Sequence, residues 1–312
     1  MIGGRVGYGA LLLLGAACTR DEAELSQIFD ARTPRPAGSE TALRQRVRRP
    51  AGENPFNLPS RPLGALVGDF VLAPSAATLE QAFEQGAEEQ TFVYYGAVVD
   101  TPGPLETAVR FLTHERRTLP NALLVPIRRG ALASPGEVVL TSRASSAGLA
   151  RAIALGGEAA APRVKYLDPP LRPGLESPLG AEVLPVAAED TLRRNSFHVL
   201  REPGEPGTTL ACRSEGEAEP VILLKVIDEQ RLVLGFAGRL RVFPATACRA
   251  LPIAFVPSLG QAVRFPLLAG FAEGRVQRVD VPDGRVWVRF ERAGEAREIG
   301  VGFGNIEPID GR

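Results

Sequence analysis

The sequence predicts an all-β protein built of four small, similar modules. Three observations carry that prediction. Gly (33) and Pro (27) together make up about a fifth of the 312 residues, which favours turn-rich β structure over long helices. Four stretches open with Gly and continue as a strand: 68–74 (GDFVLAP), 136–142 (GEVVLTS), 207–213 (GTTLACR) and 260–266 (GQAVRFP). Each stretch is followed by an aliphatic-x-aromatic triplet and then by an aliphatic run containing Pro.

The chain begins differently. Residues 1–18 read MIGGRVGYGALLLLGAAC, with one early charge at Arg5, an apolar stretch, small residues and then cysteine. This is the plan of a secretory signal, and its apolar stretch is shorter than the ~20 residues that span a bilayer. Leu14-Gly15-Ala16-Ala17-Cys18 resembles the lipobox of bacterial lipoproteins, although Gly15 stands where a large aliphatic residue is usual. That resemblance implies a signal peptide over 1–17 and lipid attachment at Cys18, with the membrane as a partner through that lipid. Thr19 stands where the inner-membrane retention signal of such lipoproteins usually has Asp, which favours the outer membrane. The other reading is an ordinary signal peptide cut at the small residues, with Cys18 incidental.

Residues 18–62 are rich in charge, Pro, Ser and Gly and show no sustained apolar period. Such a stretch buries too little surface to offset its ordering entropy, so a disordered spacer is expected, with a short helix over 21–29.

The modules follow, and internal similarity defines them. A second run ends in aliphatic-Asp at Val98-Val99-Asp100, Val226-Ile227-Asp228 and Arg278-Val279-Asp280, whereas the second module has Ala152–Leu155 and a Gly156-Gly157 turn. The triplets are Val109-Arg110-Phe111, Val164-Lys165-Tyr166, Leu234-Gly235-Phe236 and Val288-Arg289-Phe290, and alternation sends Arg110, Lys165 and Arg289 to water. The closing runs are 123–127, 183–186, 251–253 and 306–309. The opening glycines are 68, 71 and 53 residues apart, which is no solenoid period but fits a module with variable loops. Residues 76–90, with Leu79 and Phe83 one helical turn apart, predict a helix. A turn of helix is expected within 187–202.

This order of segments resembles tandem Tudor-like or Src-homology-3-like (SH3-like) small five-stranded barrels. The resemblance implies barrels over 63–130, 131–190, 206–254 and 255–312, with an inter-half linker at 191–205. Barrels of that size are marginal alone, so neighbours are expected to pack, as two pairs. First and last strands lie close in such barrels, which implies that Cys212 and Cys248 form a disulfide in an oxidising compartment; two separate buried thiols are the alternative.

Chemistry-bearing motifs are few. Neither His114 nor His198 has a second ligand at metal spacing, and no Gly-x-Ser-x-Gly elbow or phosphate-cradling glycine loop occurs. No catalytic residue, metal or cofactor is expected. The 36 basic and 36 acidic residues balance, which argues against nucleic acid as a partner. Only Lys165 and Lys225 among the basic residues are lysines, read as codon usage. Trp287 shares a face with Arg285, Arg289 and Glu291 and is either packed on a neighbouring module or open to a partner; Tyr95 points opposite to Phe92 and Tyr94, and Trp287 and Tyr95 are the candidate partner-binding surface. The expectation is a non-enzymatic, lipid-anchored cell-envelope protein whose modules bind an envelope protein or a cell-wall component. The alternative is an exported hydrolase with its site in an inter-module cleft.

Overall fold

Gly68, Gly136, Gly207 and Gly260 all take positive φ, between 75° and 97°, where a Cβ is penalised. Each turns the chain into the first strand of a sheet, and each makes the same hydrogen bond. Their amides donate to the carbonyls of Val99, Ala154, Leu223 and Val276, and those four residues donate back to Asp69, Glu137, Thr208 and Gln261. In three modules the side chain after the glycine closes the turn: Asp69, Glu137 and Gln261 accept from the amides of Leu66, Ser134 and Ser258.

In the computed structural model, residues 49–309 are described, apart from Glu89, 144–147, 169–188 and Glu215. Four five-stranded antiparallel sheets follow in sequence. The first holds β1 (Phe70–Pro74), β2 (Tyr94–Thr101), β3 (Glu106–Phe111), β4 (Arg116–Pro120) and β5 (Val125–Pro126), with α1 (Ala76–Gln85) between its first two strands. The second holds β6 (Val138–Ser142), β7 (Leu149–Glu158), β8 (Ala161–Tyr166), β9 (Glu189–Thr191) and β10 (Phe197–Val199). The third comprises β11 (Thr209–Cys212), β12 (Glu219–Ile227), β13 (Gln230–Leu234), β14 (Leu240–Pro244) and β15 (Cys248–Ala250). The fourth comprises β16 (Ala262–Leu267), β17 (Gly270–Asp280), β18 (Arg285–Arg292), β19 (Glu295–Gly302) and β20 (Glu307–Pro308). Spatial order is the same in all four: fourth, third, second, first and fifth strand.

Each second strand carries a bulge one residue after its bond to the opening glycine, at Asp100, Leu155, Leu224 and Gln277. A bulge adds one unpaired residue and reverses the alternation beyond it. This aligns Val109, Val164, Val233 and Val288 on the third strands. The triplet at 234–236 is therefore one residue out of register with the others, and Phe236 is half exposed. Asp100 likewise sits at a bulge, whereas Asp280 ends its strand and Asp228 lies in the turn just after β12.

Several other expectations change. The closing strand of the second sheet is Phe197–Val199, which pairs with β6; the run at 183–186 lies outside the described residues. Segment 191–205 is thus partly sheet, not linker, and 187–202 shows no helix among its described residues. The spacer is shorter than 18–62, because Asn54 and Leu58 are buried and Asn54 Nδ2 donates to Leu58 O at 2.8 Å. Lys165 faces a neighbouring sheet instead of water. The helix of 76–90 ends at Gln85, and 21–29 lies outside the described residues.

The sheets do not stand as a row of independent barrels or as two pairs. They close a propeller-like ring in the order first, second, fourth, third. The first meets the second where Gly96 N donates to Ser142 Oγ at 3.0 Å. The second meets the fourth through Lys165 and Asp283, and the fourth meets the third through Glu307 and Arg249 at 2.5 Å. The third returns to the first through Gly238 O, which accepts from Phe92 N at 2.8 Å. The second and third also touch: a Cβ on Gly207 would lie 3.0 Å from that of Leu140. The reason is burial. One apolar cluster draws residues from all four sheets, while separate interior clusters fill only the second and third. In β7, Ala150, Ala152 and Ala154 face that sheet's own interior and Leu149 and Ile153 face the shared core.

Candidate functional site

The outer face of the fourth sheet carries the clearest constellation. The bulge at Gln277 places Arg278, rather than Gln277, opposite Trp287. The Arg278 guanidinium lies 4.6 Å from the indole centroid, a cation–π stack. On the other side Trp287 faces Gly300 of β19, where an added Cβ would lie 3.3 Å from the ring. The indole therefore rests on bare backbone. The next row holds Arg275 opposite Arg289, with Glu298 on the far side of Arg289. Arg275, Arg278, Arg289 and Glu298 are exposed and Trp287 is half-buried.

Toward the other end of this face the sheet is covered. Arg285 donates to the carbonyls of Tyr166 and Leu167 at 3.1 and 3.3 Å. Leu167 fills the space beside Gly302, where a Cβ would lie 2.9 Å from its own. Trp287 thus stands between the seam with the second sheet and the open arginines, and packs on its own sheet.

A second cluster ties three sheets together. Asp168 Oδ2 accepts from Arg151 N at 2.8 Å and Nε at 3.0 Å, and Oδ1 accepts from Nη2 at 2.5 Å. Arg151 Nη1 donates to Thr209 Oγ1 at 2.5 Å, which donates to Asn305 Oδ1 at 2.7 Å. Burial opposes ionisation of Asp168, but the charge and hydrogen bonds of Arg151, with Arg143 nearby, hold its carboxyl below the usual range. Arg143 stacks 4.4 Å over the Tyr166 ring, and burial lowers its own pKa. Every polar group here is spent on its neighbours, so the cluster serves assembly. Breaking one partner of such a pair leaves a buried charge uncompensated.

The remaining sequence candidates are separate. Cys212 and Cys248 face each other across β11 and β15 and are bonded, with Sγ atoms 2.02 Å apart. Cys18 lies outside the described residues. Tyr95 is half-buried, edge-on to Phe111 with ring centroids 6.3 Å apart, so it forms no surface with Trp287. His114 sits at positive φ in the β3–β4 turn. His198 in β10 is 3.6 Å from Glu205. Burial lowers its pKa, partly offset by Glu205, while Arg128 and Arg201 add to the lowering. Among the described residues no group of three or more His, Cys, Asp and Glu is placed to hold a metal, and no helix is long and apolar enough to cross a membrane.

Sequence reasoning found Trp287 but missed Arg278 and Arg275. A straight ladder puts Gln277 beside the indole, and only the bulge brings Arg278 there. No protein-family model matches the chain, and no curated protein matches it.

Proposed function

We propose that the chain is a non-enzymatic, lipid-anchored protein of the bacterial cell envelope, outer membrane favoured, whose four modules form one binding scaffold. Each module is read as a Tudor-like or SH3-like unit, supported by the repeated strand order and by the 3-10 turn before the last strand in the first and third sheets. The observation that carries a binding role is the Trp287 face, where an aromatic ring and unpaired arginines share an open surface. Trp and Arg are the residues most enriched at interface hot spots. The anchor rests on Leu14–Cys18 and on the stability that multiple acyl chains confer.

Two measurements test this reading. Labelling with a fatty acid tags the wild type and not Cys18→Ser; equal labelling of both removes the anchor. The immobilised chain captures a defined set of envelope components, and Trp287→Ala weakens that capture while the variant stays folded by its far-ultraviolet spectrum. Loss of stability with unchanged capture makes Trp287 a packing residue only.

A further inference from the structure

We infer that the open half of the fourth sheet, formed by Arg275, Arg278, Trp287 and Arg289 beside the edge strand β19, is a docking surface for an acidic, extended segment of a partner protein. This specifies the ligand within the binding-scaffold reading and rests on it.

The first argument is charge. Among the described residues Arg278 and Arg289 make no ion pair, and Arg275 donates only to the backbone of Gly260, at 3.1 Å. Arg275 and Arg289 stand directly opposite on neighbouring strands. Like charges so placed repel, and nearby Glu298 is beyond ion-pair distance of either. A carboxylate arriving between them removes that repulsion and gains charge-assisted, two-pronged hydrogen bonds.

The second argument is shape. Stacking on the indole orients the Arg278 guanidinium, so little side-chain entropy remains to be lost when it binds an anion. Gly300 presents no side chain beyond the ring. Beside it runs β19, eight residues long and paired on one edge only, to β18. The other terminal edges are blunter: β4 and β14 are five residues long and end in Pro, and β9 has three residues. An unpaired edge offers amides and carbonyls to an added strand, while the adjacent face selects its side chains.

A protein segment fits better than an anionic membrane. Glu291 and Glu298 alternate with the arginines on this face, and anionic headgroups would meet both. The Trp287 ring lies along the sheet between Arg278 and Gly300 and does not project as an interfacial anchor.

Trp287 is the chain's one tryptophan, so its emission reports on this surface directly. The full chain is titrated with a peptide alternating glutamate and threonine, with its lysine–threonine counterpart, and with vesicles of phosphatidylglycerol and phosphatidylcholine. The acidic peptide is expected to shift Trp287 emission saturably and less strongly at high salt. The lysine peptide and the vesicles are expected to leave it unchanged. Arg289→Glu and Arg275→Glu, both at exposed sites one row away from the stack, are expected to weaken the peptide about tenfold each while the melting temperature and far-ultraviolet spectrum hold. Silence with the acidic peptide, an equal response to the lysine peptide, a response to vesicles alone, or undiminished binding by both folded variants overturns the inference. If the Arg variants also capture the wild-type set of envelope components, the scaffold reading survives and only this surface is wrong. If the wild type captures none, the scaffold reading itself fails.

Discussion

Lys225→Met should stabilise the protein at neutral pH and remove one component of its alkaline stability profile. Lys225 follows the bulge of β12, and its Nζ reaches across to the first sheet, donating to Asn121 O at 2.6 Å and Leu124 O at 3.1 Å. No carboxylate pairs with it among the described residues, and burial pushes its pKa down from 10.5 to about 8. That drop corresponds to about 3 kcal/mol at 1.36 kcal/mol per pH unit. The unfolded chain keeps this proton up to its ordinary pKa, while the folded chain releases it from about pH 8. Unfolding free energy therefore rises with pH between those two values, and below pH 8 the full cost is present. Methionine keeps an unbranched apolar stem out to Cε and removes the charge, but it leaves two carbonyls without their donor, at about 1 kcal/mol each. The net gain at pH 7 is about 1 kcal/mol. Urea unfolding of both proteins, followed by circular dichroism from pH 7 to 10.5, reads the difference. The advantage of the variant should shrink and then reverse as the pH rises, by about 3 kcal/mol in all. A difference that stays constant with pH would refute the claim that a desolvated ammonium occupies this seam.

Two other perturbations test buried groups. The Tyr94 hydroxyl is buried with no hydrogen-bond partner among the described residues, so Tyr94→Phe should raise stability by about 1 kcal/mol in the same urea assay; a loss of that size would mean the hydroxyl is satisfied in solution. His198 has its pKa lowered by burial below 6.5, so the unfolded state takes up this proton first and wild-type stability falls as pH drops through and below that value. His198→Gln should flatten this slope between pH 7 and 5, and an unchanged slope would place its origin elsewhere.

The parts of the fold that were legible in the sequence are those where backbone chemistry demands a residue type. Gly68, Gly136, Gly207 and Gly260 announce themselves because a positive φ at the start of each module excludes most side chains. The bulges leave no such mark, since Asp100, Leu155, Leu224 and Gln277 share no chemistry, and this is why the sequence did not bring Arg278 to the Trp287 face. The closing strand of the second sheet was misplaced because 183–186 carries the aliphatic-Pro pattern and the true closing strand, Phe197–Val199, does not. Arrangement of the modules was illegible for a different reason. A seam depends on which alternate face is apolar in two distant strands at once, and Leu140 or Ile153 looks the same whether it fills a barrel or a seam. The two lysines show the cost of a compositional reading. Both stand at seams, Lys165 against Asp283 and Lys225 against the carbonyls of the first sheet.

The ring also bears on how such a chain can change its number of copies. A solenoid gains or loses repeats by duplication or deletion, because each repeat touches only its neighbours and an end stays an end. Here the third module closes on the first and the fourth on the second, so the contacts run out of step with the order of synthesis. A fifth copy would find no open seam to join, and a chain of three would leave Asp283's partner and the face around Leu167 uncovered. Four is thus a closed solution, and variation in such a lineage is directed to the outer faces and turns of the modules rather than to their count.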